Sequence, residues 1–212
     1  MGLLNFLFGK KKNKHHNPKK EGSSLFFISE QPWRYMHNLY NTLSDLSPLK
    51  TEREIMFGEV PFGISYEELR NLKGKPIYKE DKKFYTNTFT AVLYKNKMYG
   101  IKRIIIYYFA NNKFVLGENI FTSYIKDDVM TYRKALLDKY NVQVGDDKNN
   151  FVLQNNTGAS LFYDEKIEIT MTYLCPFSSL PQVLTTDMRN VIMSNQKKAQ
   201  EAVLYNKIYD TL

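Results

Sequence analysis

Residues 84–94 (FYTNTFTAVLY), 99–110 (YGIKRIIIYYFA) and 113–122 (KFVLGENIFT) decide the fold of this chain. All three are rich in β-branched and aromatic residues, which suit a pleated, half-buried surface, and polar residues separate them at Lys95-Asn-Lys97 and Asn111-Asn112. Short polar breaks between such runs predict hairpins, so the three segments are expected to form an antiparallel meander. Past it, residues 151–154, 159–163 and 166–174 repeat the pattern around turns at Asn155-Asn-Thr-Gly158 and Asp164-Glu-Lys166, adding two or three strands.

Helical spacing surrounds these strands. Ser29 can cap a helix with Pro32 in its first turn, and Trp33, Met36, Leu39, Tyr40, Leu43 and Leu46 recur at steps of three and four until Pro48. Ser65-Tyr-Glu-Glu68 is a capping box for a short helix with Leu69 and Leu72 on its face, ended by Gly74 and Pro76. Residues 124–140 place Ile125, Val129, Tyr132, Leu136 and Tyr140 at helical intervals, with Asp127 and Asp128 near the start. A long C-terminal helix is expected from about Thr186, with Met188, Val191, Ile192, Ala199, Val203 and Ile208 as its face. Hairpins join most strands, so the expected fold class is α+β: an antiparallel sheet with helices on one face and a long C-terminal helix. The expected organisation is a tail over residues 1–24 and a single domain over 25–212.

The charge is concentrated in that tail. The 212 residues carry +8 overall, but Lys10, Lys11, Lys12, Lys14, Lys19 and Lys20 supply six positive charges before the first acidic residue, Glu21. The remainder carries 24 Lys and Arg against 22 Asp and Glu, too even a balance for a phosphate-tracking face. Nucleic acid is therefore an unfavoured partner. Ahead of the lysines stand Leu3, Leu4, Phe6, Leu7 and Phe8, which on a helix would occupy one broad face opposite Gly2, Asn5 and Gly9. Large apolar side chains followed by Lys10, Lys11 and Lys12 are the composition of an interfacial anchor on an anionic membrane surface. The competing reading is a leader folded back on the domain ahead of a solvated lysine linker. The lysines follow the apolar stretch instead of preceding it, unlike a secretory signal, and Phe6 stands where a myristoylation pattern requires Ser or Thr.

Familiar chemistries find no motif. Gly58 and Gly63 have P-loop spacing, but Ile64 replaces the phosphate-binding lysine. Glu67 stands where a nucleophile elbow after Ser65 needs glycine. One cysteine, Cys175, and three histidines, His15, His16 and His37, make a zinc site of that type improbable, and no cofactor or metal is expected. A single cysteine fits a reducing, cytoplasmic setting. Cys175 reads as a small buried hydrophobe, with a reactive thiol as the sharper alternative. No catalytic residue is assigned.

The stretch FGEVPFGISYEELRNLKGKP over residues 57–76, followed by a meander reaching YYFANNK at 107–113, resembles bacterial domains of unassigned function in which a capped helix and a Gly-x-Pro exit precede antiparallel strands. The same helix exit is similar to that of outer-membrane assembly lipoproteins of the SmpA/BamE type and of β-lactamase-inhibitor-like folds. That resemblance implies a protein-binding role without catalysis. The chain departs from the lipoproteins in lacking an N-terminal lipid-accepting cysteine, and no site residues carry over. The expected function is a non-enzymatic intracellular binding domain, monomeric, with another protein as partner and a membrane-peripheral N-terminus. The alternative is an enzyme built on dispersed acidic residues or on Cys175.

Overall fold

The computed structural model describes residues 32–45, 47–84, 86–98, 101–123, 126–145, 147–165, 168–180 and 186. Its elements in chain order are α1 (Pro32–Asp45), β1 (Leu49–Thr51), α2 (Tyr66–Lys73), β2 (Tyr78–Phe84), β3 (Asn87–Met98), β4 (Ile101–Ala110), β5 (Lys113–Ser123), α3 (Lys126–Tyr140), β6 (Asn150–Asn155), β7 (Ser160–Glu165) and β8 (Ile169–Leu174), with a 3-10 turn at Phe177–Ser179. The strands make one eight-stranded sheet in the order β1-β6-β7-β8-β5-β4-β3-β2.

The expected α+β class is corrected by this arrangement. The described chain is a mostly-β fold organised by one mixed sheet, because β1 runs parallel to β6 while every other pairing is antiparallel. Among the described residues there is no long C-terminal helix, and the segment that follows Thr186 lies outside them. The meander is present, with β4 between β3 and β5, but β3 runs on through Lys95-Asn-Lys97, which the sequence reading takes for a turn. Two strands go beyond that reading: the short β1, and β2, which forms one edge of the sheet.

The helices do not share a face. Alternate residues of a strand point to opposite sides of the sheet. On one side Val92, Ile105, Tyr107, Phe109, Phe114, Phe121, Phe151 and Tyr173 pack with Leu69 of α2 and with Leu136 and Tyr140 of α3. On the other, Leu93, Ile104, Ile106, Tyr108, Leu116, Ile120 and Leu174 pack with Met36 and Leu43 of α1. β4 is covered on both sides, which is why IIIYYFA reads as a continuous apolar run and not as an alternation.

The first of these sides is closed by a segment without regular structure. Phe57, 2% exposed, lies over Gly117 of β5, and a Cβ at residue 117 would stand 2.3 Å from its ring. Tyr107 and Tyr173 are the cross-strand neighbours of Gly117, and their rings lie 4.9 and 5.1 Å from that of Phe57. The glycine makes room in mid-sheet for an aromatic ring that lies edge-on to Tyr107 and tilted against Tyr173. α3 is fixed at its middle and at its C-terminal end: Tyr132 packs 5.1 Å from Phe121, and the Thr51 hydroxyl donates to the carbonyl of Tyr140 at 2.7 Å. Arg133, 3% exposed, donates to the carbonyls of Gly145 and Lys148, so that the loop after the helix folds around its guanidinium.

Candidate functional site

Two places gather polar groups in a way that could matter chemically, one enclosed and one open. The enclosed one is centred on Glu118. β5 places Leu116, Glu118 and Ile120 on the side covered by α1, so the carboxylate occupies a position that the alternation reserves for an apolar side chain. It is 0% exposed. The Tyr108 hydroxyl donates to it at 2.6 Å, Tyr35 of α1 donates from above, and the Thr172 hydroxyl, directly across on β8, donates at 3.3 Å.

Burial pushes the Glu118 carboxyl up to about 7, against the lowering pull of its three hydroxyl donors. Burial likewise raises the Tyr35 and Tyr108 hydroxyls well above the ordinary tyrosine range, with the adjacent carboxylate adding to the effect. Both phenols therefore stay protonated as donors at any physiological pH. The arrangement satisfies a buried acid and ties α1 to three adjacent strands. In the folded chain the carboxyl has no exposed surface. The sequence reading missed Glu118, although a lone acid inside FVLGENIF was the available signal.

Cys175 lies close to the same face at the end of β8. It is 1% exposed, its amide donates to the Val115 carbonyl at 3.0 Å, and its sulfur is 3.7 Å from the Tyr40 hydroxyl. The Tyr40 hydroxyl donates to the Cys175 carbonyl at 2.9 Å. Burial pushes the thiol up to about 12, so it stays protonated and lacks the thiolate that nucleophilic chemistry requires.

Two of the dispersed acidic residues, Glu68 and Glu165, are each engaged locally. Glu68 is taken up by the capping box, its carboxylate accepting from the Ser65 amide at 2.7 Å. Glu165 accepts from the Tyr163 hydroxyl at 2.9 Å at the far end of β7. Among the described residues no group of three His, Cys, Asp or Glu side chains could hold a metal ion, and no helix is long and apolar enough to cross a membrane. The expected membrane contacts Leu3, Leu4, Phe6, Leu7, Phe8, Lys10, Lys11 and Lys12 lie outside the described residues.

The open place is a shallow depression where α2 gives way to β2, lined by Tyr66, Arg70, Lys75, Pro76, Ile77, Tyr78 and Lys79. Lys79 lies 4.9 Å over the Tyr66 ring and pairs with Asp81 at 2.7 Å. Arg70, Lys73 and Lys75 are exposed. Compared with protein-family models, curated proteins and solved structures, the chain gives no match.

Proposed function

We propose that this chain is a non-enzymatic binding domain that works at an anionic membrane surface, attached there by its N-terminal leader, with another protein as its partner. The observation that carries the reading is the order of the first twenty residues: five large apolar side chains within the first eight, then six lysines before any acid. Leucine and phenylalanine at a headgroup boundary contribute buried apolar area, and each lysine near anionic lipid contributes about 1 kcal/mol. The folded part supports a binding role through the character of its surface. Its polar network is enclosed and occupied in holding α1, whereas its open depression is aromatic and basic. The enzymatic alternative finds no such support, since burial holds the Cys175 thiol protonated, Glu68 is taken up by the capping box of α2 and Glu165 by the Tyr163 hydroxyl.

The test is flotation of the full-length chain with phosphatidylcholine vesicles that contain phosphatidylserine. The chain floats at low salt and less as salt rises, because screening weakens the lysine attraction. Replacing Leu4, Phe6 and Phe8 with Asn abolishes flotation, and replacing Lys10, Lys11 and Lys12 with Gln weakens binding by roughly 3 kcal/mol at low salt. A full-length chain that ignores anionic vesicles at low salt rules the reading out.

A further inference from the structure

The turn between α2 and β2 presents apolar side chains to solvent where the rest of the domain buries them. Of the five large apolar side chains exposed among the described residues, three fall here: Leu72 at 63%, Ile77 at 53% and Tyr78 at 43%. Tyr78 pairs with Leu93 on the side covered by α1, where its hydroxyl donates to Glu80, so Leu72 and Ile77 are the apolar side chains left exposed beside the cations of the turn. From Leu69 to Lys79 the chain holds Arg70, Lys73, Lys75 and Lys79 and no carboxylate. Lys79 is paired with Asp81, whereas Arg70, Lys73 and Lys75 make no ion pair among the described residues.

The patch is held in shape. Gly74 ends α2 at φ 80°, and its amide donates to the Arg70 carbonyl at 2.8 Å. Its own carbonyl accepts from the Tyr94 hydroxyl at 3.0 Å, and the Ile77 amide donates to the Leu93 carbonyl at 2.9 Å. The turn is thus stapled to β3 from both ends, and presenting its apolar tips requires no ordering of a loose loop on binding. β2 is an edge strand, and a strand added by a protein partner would have to pair along it. Lys79-Glu-Asp-Lys-Lys83 occupies that edge, a charged run of the kind that blunts strand addition.

We infer that Leu72 and Ile77, in a stretch that also carries the exposed cations Arg70, Lys73 and Lys75, form a second membrane contact that seats the folded domain on an anionic lipid surface. The combination fits lipid on both counts: apolar tips reach the headgroup boundary while the cations meet lipid phosphates and carboxylates. The inference rests on the membrane reading of the leader, with which the patch shares the surface as a second attachment. Two contacts on one chain raise the effective concentration of each at the bilayer.

The experiment uses full-length chains and phosphatidylcholine vesicles with and without phosphatidylserine. Ile77→Cys carrying an environment-sensitive fluorophore reports insertion, because Cys175 is enclosed and does not take the label. The label brightens and shifts to the blue with phosphatidylserine present and not without it. The triple variant R70Q/K73Q/K75Q, whose altered side chains are exposed and leave the thermal midpoint unmoved, loses about 100-fold in vesicle affinity at low salt. The inference is overturned, with the leader reading intact, if that variant binds as tightly as the unaltered chain while the L4N/F6N/F8N variant does not bind. It is also overturned if the triple variant loses affinity only for a polyglutamate peptide, which would make the patch a site for an acidic protein. If the leader variant still floats and its label at residue 77 still responds, the patch stands and the leader reading falls; if the unaltered chain never floats, both fall.

Discussion

The two sides of the central sheet solve the same burial problem with different chemistry. The side under α2, α3 and the Phe57 segment is aromatic: Phe57 meets the rings of Tyr107, Phe114 and Tyr173, Phe109 meets Phe114, Phe121 meets Tyr132, and Phe151 stacks on Tyr163 at 4.8 Å. The side under α1 is mainly aliphatic and admits one carboxyl, Glu118, with its three hydroxyl donors. On the aromatic side the fit depends on volume, down to the missing Cβ of Gly117. On the aliphatic side it depends on hydrogen bonds, since an unsatisfied buried carboxylate would cost more than the apolar contacts around it supply. A lid held by packing can fail only through volume, whereas a lid held by an acid can also be loosened by pH.

That contrast is open to direct attack. The largest effect is expected on the aromatic side, where Leu136→Ala leaves a cavity beneath α3 and lowers unfolding free energy by about 2–5 kcal/mol in urea titration. An unchanged midpoint would remove α3 from the core. Next in size is the pH dependence of the α1 side. The folded chain holds a proton on Glu118 up to about 7, while the unfolded chain releases it near 4.5. The contribution of this group to stability is therefore complete below about 4.5 and is lost as pH rises through 7, a change of roughly 3 kcal/mol. In urea titrations from pH 4 to 8 the unaltered chain should lose more unfolding free energy than Glu118→Gln by about that amount, so that the glutamine variant has the flatter pH profile. Parallel profiles would mean that the carboxyl is not enclosed. The smallest effect separates volume from hydrogen bonding: Gly117→Ala forces the Phe57 ring to shift and costs about 1–3 kcal/mol with no dependence on pH.

Much of this plan was legible in the sequence, and what was not has physical causes. The meander was readable because its strands carry β-branched and aromatic runs, and α2 because its capping box closes on itself, with the Glu68 amide donating to the Ser65 hydroxyl oxygen at 3.2 Å. β2 escaped because YKEDKKF shows no apolar alternation; its pairing with β3 is a matter of backbone hydrogen bonds at an edge. β1 has three residues, too few for any periodicity. The assignment of every helix to one face failed although the evidence against it was present, since seven consecutive apolar residues in β4 need cover on both sides. Of the functional features, the leader was readable from composition, whereas the exposure of Leu72 and Ile77 was not. Leu72 patterns with Leu69 as a helix face, and only the fold places it outside the core.

The central claim is that the acid on the α1 side is enclosed and structural, with function left to the exposed apolar and basic surfaces. The most direct measurement is the carboxyl-carbon NMR titration of the glutamate-labelled chain, with the Glu118 resonance assigned by its loss in Glu118→Gln. The Glu118 resonance is expected to titrate at about 7, well above the ordinary value of 4.5. If the Glu118 resonance titrates at or below 4.5, the carboxyl meets solvent or a cation in the folded chain, and the enclosed acid of this account does not exist.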